Sequence, residues 1–261
     1  MTIQADPLRR AGVPDLVPVV TDLLGRGHPL LFVTVSGAHL YGFPSVDSDV
    51  DLRGAHLLPL REVIGLYEGE QTQSRMWRRD GLELDLVTHD LLKFARLMLR
   101  RNGYVLEQLL SPLVVHTTDT HAELAALAPG VLTSGHAHHY RGFADTQWRL
   151  YGKTGELKPL LYTFRALLTG IHLMRSGELQ AHLPTLLGEV TAPPYVPDLI
   201  ARKADAEHGP APDLGADRLS TDIEALHSVL TEARAGSALP PLPTAQDALH
   251  DLVVRTREAA V

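Results

Sequence analysis

The 261-residue sequence predicts an α+β fold, with a sheet-containing first part and a mostly helical second part. Apolar, β-branched segments alternate with helical patterns as far as Asp85, which is typical of a small mixed sheet with flanking helices. After Ser111-Pro112 the strand signals fade, and apolar residues recur mainly at helical spacing. A chain of this length can bury one large core or two smaller ones.

Each element follows from its local pattern. A leading helix is predicted over residues 15–25, ended by Gly25 and Gly27, and a buried apolar strand over residues 29–35. Alternating apolar and polar residues predict strands at 50–57 and 82–87. Helical spacing of apolar residues predicts helices at 90–101, 122–128, 136–151, 159–176, 219–235 and 245–260.

Residues 33–54 have the pattern of a site for phosphate chemistry. Ser36-Gly37 forms a small-residue turn after the buried strand, where backbone N–H groups can approach an anion closely. On the next strand Asp49, Asp51 and Arg53 share one face. Neighbouring carboxylates repel each other unless a cation lies between them, and oxygen ligands suit Mg²⁺.

A third acidic segment strengthens the metal interpretation, since Glu83 and Asp85 alternate with leucines on a later strand. One other interpretation is open from the residues alone, and a second fails. Asp49 can belong to a solvated turn that enters a strand. A calcium loop of the EF-hand kind is contradicted by Leu52 and Leu58, which stand where that loop needs glycine and glutamate.

These residues resemble the nucleotidyltransferases of the DNA polymerase beta superfamily. Their signature is an apolar residue followed by Gly and then Gly or Ser, with Asp-x-Asp after a spacer and a third carboxylate on a later strand. The sequence is more similar to one branch, the YcgL-type predicted nucleotidyltransferases. The motif S-D-x-D-x-R-G of that branch matches residues 48–54, and its motif S-G-S-x-x-Y-G matches residues 36–42 except at Ala38. Weaker matches at 91–94, 106–109, 139–143 and 158–165 extend the resemblance over residues 30–179.

The resemblance implies transfer of a nucleoside monophosphate from an NTP to an acceptor hydroxyl on RNA, a protein or a small molecule, with release of pyrophosphate. Two Mg²⁺ (or Mn²⁺) ions are implied as cofactors. It also implies a nucleotidyltransferase domain at 1–110 and a helical domain at 111–261 that completes the cleft. The implied catalytic residues and metal ligands are Asp49, Asp51 and Asp85. The implied NTP-binding residues are Ser36, Gly37, Ala38, Arg53, Lys158, Tyr162 and Arg165.

Some of these assignments carry alternatives. Ala38 stands where the family usually has a phosphate-binding Ser, which favours a catalytically weak or inactive nucleotide-binding partner as a second hypothesis. An antitoxin-like enzyme that nucleotidylates a protein is a third. Arg53 can bind phosphate or hold Asp51 in place. Lys158 and Arg165 can equally form a solvated basic helix face.

Composition restricts the class of protein further. The absence of Cys excludes disulfides and thiolate metal sites, and no apolar run is long enough to span a membrane, so the cytoplasm is the expected location. A formal net charge of −7 argues against a broad grip on nucleic acid but allows a local basic patch. Two basic clusters are weak indications of an acceptor site: Arg75, Arg78, Arg79 and Arg96, Arg100, Arg101.

Overall fold

The computed structural model describes residues 5–25, 27–79, 81–205 and 208–260. It has a five-stranded mixed sheet and many helices, which confirms the predicted α+β class. The strands are β1 (Leu30–Val35), β2 (Val50–His56), β3 (Thr72–Arg79), β4 (Leu82–Asp90) and β5 (Val114–His116). The helices are α1 (Ala5–Arg10), α2 (Val17–Leu24), α3 (Gly37–Tyr41), α4 (Arg61–Ile64), α5 (Leu91–Leu99), α6 (Gly103–Leu109), α7 (Asp119–Leu127), α8 (His136–Thr154), α9 (Leu157–Ser176), α10 (Leu183–Glu189), α11 (Val196–Lys203), α12 (Ala216–Ala235) and α13 (Gln246–Glu258).

The strand order in the sheet is β3-β4-β2-β1-β5. Only the β2–β4 pair among these strands is parallel, and it places Asp51 directly beside Asp85. In β4 the leucines Leu84 and Leu86 are buried while the acidic Glu83 and Asp85 are half-buried, as the alternating pattern predicts. One face of the sheet therefore packs on the core, and the opposite face carries the acidic side chains.

Two strands were not anticipated from the sequence. β3 is an edge strand with mostly exposed residues, so its sequence lacks the apolar alternation that marks a half-buried strand. β5 corrects the expectation that strands end before Ser111-Pro112. It contains three residues, which is too short for a period to show, and pairs antiparallel with β1.

The chain forms two compact units, and the first is assembled from three stretches. This unit comprises Met1–Leu40, Asp49–Val131 and Pro243–Val261, and contains the sheet. The C-terminal helix α13 is fixed to it by a buried ion pair between Arg257 and Asp90, with N–O distances of 2.7 and 2.5 Å. Asp90 also caps α5, since its carboxylate accepts a hydrogen bond from the Leu92 backbone N–H.

The second unit comprises Tyr41–Ser48 and Leu132–Leu242. Its central helix is α9, whose apolar residues are almost all buried and which packs against α8, α10, α11 and α12. Gly177 ends α9 in the left-handed conformation that glycine adopts most easily. Among the described residues, no helix is both long and apolar enough to cross a membrane. The division into functional domains at residues 1–110 and 111–261 stays a prediction.

Candidate active site

Asp51 and Asp85 form the centre of the candidate site. They are register partners on the parallel strands β2 and β4, so their side chains lie on the same face of the sheet. Both side chains are half-buried. Glu83, on the same face of β4, is instead paired with Arg78 at the surface.

Arg53 joins the two carboxylates. Its Nη2 donates to Asp51 Oδ1 at 2.5 Å and to Asp85 Oδ2 at 2.9 Å. Its Nη1 donates to the backbone oxygens of Leu52 and Asp85 at 2.9 and 2.7 Å, and its Nε donates to the Tyr104 hydroxyl at 3.1 Å. A guanidinium has five N–H donors, and these contacts use all of them. In this structure Arg53 therefore holds the Asp51 and Asp85 carboxylates in position.

The surroundings keep Arg53 charged. Burial alone would lower the pKa of Arg53, but Tyr104, Asp51 and Asp85 raise it by more, and the net shift is upward. Sequence reasoning missed Tyr104, which lies on α6 far from the acidic motif in the chain. No local pattern marks such a residue, because its role comes entirely from tertiary packing.

Gly37 lies so close to Asp51 that only glycine fits. A Cβ at this position would overlap with the Asp51 carboxylate, and the backbone has φ +62°, in the left-handed region. The preceding Ser36 N–H donates to the Asp51 backbone oxygen at 2.8 Å. The turn and the acid are therefore fixed to each other through the backbone.

The side chains of the turn are buried. Ala38 is 5% exposed, and the Ser36 hydroxyl is fully buried without a hydrogen-bond partner among the residues that the structure describes. Ser36 therefore does not present its hydroxyl to a ligand in this conformation. Any phosphate contact of this turn falls to the backbone, and the assignment of Ser36, Gly37 and Ala38 to NTP binding stays a prediction.

Asp49 differs from Asp51 in its environment. It lies immediately before β2 and is half-buried, and within the described part of the chain its carboxylate makes no ion pair. The turn that leads into it is tightly held, because Ser45 and Ser48 hydrogen-bond to each other through their hydroxyls at 2.9 Å. Lys203, a lysine with 1% of its surface exposed, donates to the Ser45 hydroxyl at 2.9 Å.

The donor chemistry of these acids fits a hard divalent cation. Three carboxylates and one guanidinium carry a formal charge of −2, which one divalent ion neutralises. Oδ1 of Asp85 accepts no hydrogen bond from any described residue and is available to such an ion. Within the described ranges, however, no group of three or more His, Cys, Asp or Glu side chains is already arranged to hold a metal. The assignment of Asp49, Asp51 and Asp85 as metal ligands stays a prediction.

The predicted helical cations lie on α9, in the second unit. The helix begins at Leu157, so Pro159 occupies its third position instead of the first, which is tolerated because the first-turn N–H groups have no partners within the helix. Lys158 and Tyr162 are half-buried, with Lys158 Nζ 6.0 Å from the Tyr162 ring centroid.

Arg165 is not part of a solvated face. It is buried, and its guanidinium carbon lies 3.8 Å from the ring centroid of Tyr41 and 5.5 Å from that of Phe143. This cation–π packing gives Arg165 a role in the core of the second unit. A role of Lys158, Tyr162 and Arg165 in NTP binding stays a prediction.

Comparison with known proteins defines the class as a protein of the DNA polymerase beta superfamily, which confirms the resemblance seen in the sequence. A family model described as "RNA repair pathway DNA polymerase beta family" matches residues 19–255. The chain therefore belongs to the RNA repair pathway DNA polymerase beta family. The narrower YcgL-type branch stays a prediction.

One curated relative is the uncharacterized protein MJ0002 of Methanocaldococcus jannaschii, which is 34% identical over 157 residues. That match covers 58% of this chain and 63% of the relative. The crystal structure of a nucleotidyltransferase-like protein from Exiguobacterium sibiricum 255-15 aligns with a TM-score of 0.32 and 10% identity, over 84% of this chain and 73% of that one. A structural similarity this low carries no argument about the site.

Proposed function

We propose that this protein is a Mg²⁺-dependent nucleotidyltransferase that transfers a nucleoside monophosphate from an NTP to an acceptor hydroxyl and releases pyrophosphate. The observation that carries the proposal is the side-by-side placement of Asp51 and Asp85 on two parallel strands, directly against the glycine of the phosphate turn. Family membership supports the same reaction class. In such a reaction the acceptor oxygen bonds to the α-phosphorus while the bond to the pyrophosphate oxygen breaks.

In this proposal the three acids have different roles. Asp49 and Asp51 would hold the metal ion that accompanies the triphosphate, and Asp85 would hold a second ion. Bound divalent ions supply charge neutralisation for the attacking and leaving oxygens. Asp85 Oδ1, which Arg53 does not occupy, would be the oxygen that holds this second ion, and the ion would lower the barrier to deprotonating the acceptor hydroxyl.

Arg53 has a positioning role in this proposal. All of its donors are used by protein atoms, so it holds Asp51 and Asp85 at a fixed separation instead of binding phosphate. Its positive charge lies between the two carboxylates and offsets part of their repulsion before substrate arrives.

Among the three acceptor classes, the family description favours the hydroxyl at an RNA end, since it names an RNA repair pathway. Proteins and small molecules are the alternatives. The test is incubation with each α-³²P-labelled NTP and Mg²⁺ or Mn²⁺, together with RNA that ends in a 3′ hydroxyl, the same RNA with a blocked 3′ end, a protein mixture or small alcohols. Label on the unblocked RNA alone supports the proposal, and label on protein identifies a protein-modifying enzyme.

The site variants for this assay are Asp49→Ala and Asp51→Ala. Glu83→Gln is the matched control, because Glu83 lies on the same strand face as Asp85 but is paired with Arg78. We expect both aspartate variants to lose transfer and the control to keep it. Transfer by either aspartate variant at the wild-type rate contradicts the metal assignment.

Ala38 supports a second candidate, a protein that binds NTP with little or no chemistry. A lost charge-assisted hydrogen bond corresponds to about 1.5–3 kcal/mol of binding free energy. If the missing hydroxyl limits binding, Ala38→Ser tightens NTP affinity in a Mg²⁺ titration. Unchanged affinity means that the turn acts through its backbone alone. NTP binding without transfer to any acceptor favours this candidate over the enzyme.

A further inference from the structure

The edge strand β3 pairs with β4, and some of its side chains lie on the sheet face that carries Asp51 and Asp85, here called the acid face. In the β3–β4 register Met76 is directly opposite Asp85, and Arg78 is opposite Glu83. Opposite residues on antiparallel strands lie on the same face with Cβ atoms about 4.5–5.5 Å apart. Asp51, Asp85 and Met76 therefore form one row across three neighbouring strands.

The side chains of β3 on this face are open to solvent. Met76 is 68% exposed and the Arg78 side chain is 79% exposed. Glu83 uses Nε and Nη2 of Arg78, so among the described residues Nη1 makes no hydrogen bond and remains available. An exposed ion pair of this kind contributes little to stability, so a phosphate can compete for it.

The charge of β3 contrasts with that of the whole chain. Residues 72–79 contain three arginines and no acidic residue, in a protein with a formal net charge of −7. The three arginines lie on two faces. Arg75 faces the other side, where it stacks on Trp77 at 4.7 Å and pairs with Asp22 at 3.8 Å. On the acid face, Met76 and Arg78 provide an apolar contact beside a cation, which suits a nucleotide.

We infer that Met76 and Arg78 form the acceptor subsite and bind the 3′ end of single-stranded RNA. The inference rests on the proposed function, in which Asp85 is the acid on the acceptor side. Asp85 has two neighbouring strands, and β2 carries the acids assigned to the triphosphate. An acceptor can therefore reach Asp85 from the side of the sheet on which β3 lies. The terminal base packs on Met76, and the backbone phosphate binds Arg78.

The experiment measures binding of a short, fluorescein-labelled single-stranded RNA with a 3′ hydroxyl, without NTP, by anisotropy at several salt concentrations. Met76→Ala and Arg78→Ala are each expected to raise Kd about three- to tenfold. Arg78→Ala also lowers the slope of log K against log salt by about 0.7, the value for one lost phosphate contact, whereas Met76→Ala leaves the slope unchanged. Arg75→Ala, on the opposite face of the same strand, keeps wild-type affinity.

Three results overturn the inference: wild-type protein does not bind the RNA, the two acid-face variants bind as tightly as wild type, or Arg75→Ala weakens binding equally. The transfer assay separates this outcome from failure of the proposed function. Transfer to RNA that is insensitive to Met76→Ala and Arg78→Ala refutes the subsite alone. RNA binding through Met76 and Arg78 without any transfer supports the subsite and refutes the proposed function alone.

Discussion

When no metal is present, Asp51→Ala is predicted to lower the melting temperature, whereas Asp49→Ala is predicted to leave it unchanged or raise it. Like-charge repulsion alone predicts that both Asp49→Ala and Asp51→Ala leave the melting temperature unchanged or raised. The ion pair of Asp51 with Arg53 reverses the expected sign for Asp51. Asp49 makes no such ion pair with the described residues, so repulsion alone decides the expected change for Asp49→Ala.

The magnitude follows from the burial of the pair. Loss of one member of a fully buried ion pair costs about 3–5 kcal/mol. Here the two side chains keep 11% and 19% exposure, and Arg53 retains Asp85, so we expect about 2 kcal/mol for Asp51→Ala. At about 2–4 °C per kcal/mol for a chain of this size, the melting temperature falls by about 4–8 °C.

Thermal unfolding followed by circular dichroism in EDTA checks this prediction, with Asp49→Ala as the matched control. Equal melting temperatures for the two variants refute the structural role of the Arg53 pair. A variant Asp51→Ala that is more stable than wild type refutes it as well. Loss of transfer in both variants together with a stability difference is the expected combined result.

Three further perturbations test other parts of the structure. Gly37→Ala is expected to shift Asp51 and to lower transfer at least as strongly as stability, measured by activity and melting temperature in parallel. Burial lowers the pKa of His56 to about 4 from 6.5, so the unfolded state binds the proton first and stability falls as pH drops from about 6.5 to 4. The free energy of unfolding falls by about 3 kcal/mol over this range. Urea unfolding at different pH values measures it, and His56→Asn is expected to remove this part of the pH dependence. Lys158→Ala is expected to weaken NTP binding, measured by calorimetry, whereas Lys153→Ala, at an exposed position, is expected to leave it unchanged. Equal effects of the two variants contradict a role of α9 in NTP binding.

The sequence predicts which side chains share a strand face, because alternation along a strand decides this. Alternation places Asp51 with Arg53 on one face of β2, and Asp85 opposite the buried leucines of β4, and the hydrogen bonds of Arg53 to both acids agree with these faces. The glycine of the turn was also identified. Its packing against Asp51 depends on strand register, which the residue pattern alone does not determine.

Other features had no signal along the chain. Tyr104 and Lys203 act at positions far from the acidic motif, and only folding brings the Tyr104 hydroxyl to Arg53 and the Lys203 ammonium to Ser45. For Arg165 the resemblance implies NTP binding and helical spacing also allows a basic surface, but spacing does not distinguish a solvated cation from one packed against aromatic rings. β3 lacks an apolar face because it lies at the sheet edge, and that position is a property of the sheet.

The bridge from Arg53 also bears on how the site works without metal. A pair of ionised carboxylates on adjacent strands would oppose pairing of β2 with β4 if no cation lay between them. Arg53 supplies that cation from β2 itself, two residues from Asp51, and its Nη1 contact to the Asp85 backbone oxygen joins it to β4. The sheet can therefore form before any divalent ion binds. An incoming ion meets carboxylates whose spacing is already set, with a residual formal charge of −2 when Asp49 is included. In the proposed reaction a divalent ion would therefore serve the chemistry, and the fold would not depend on it.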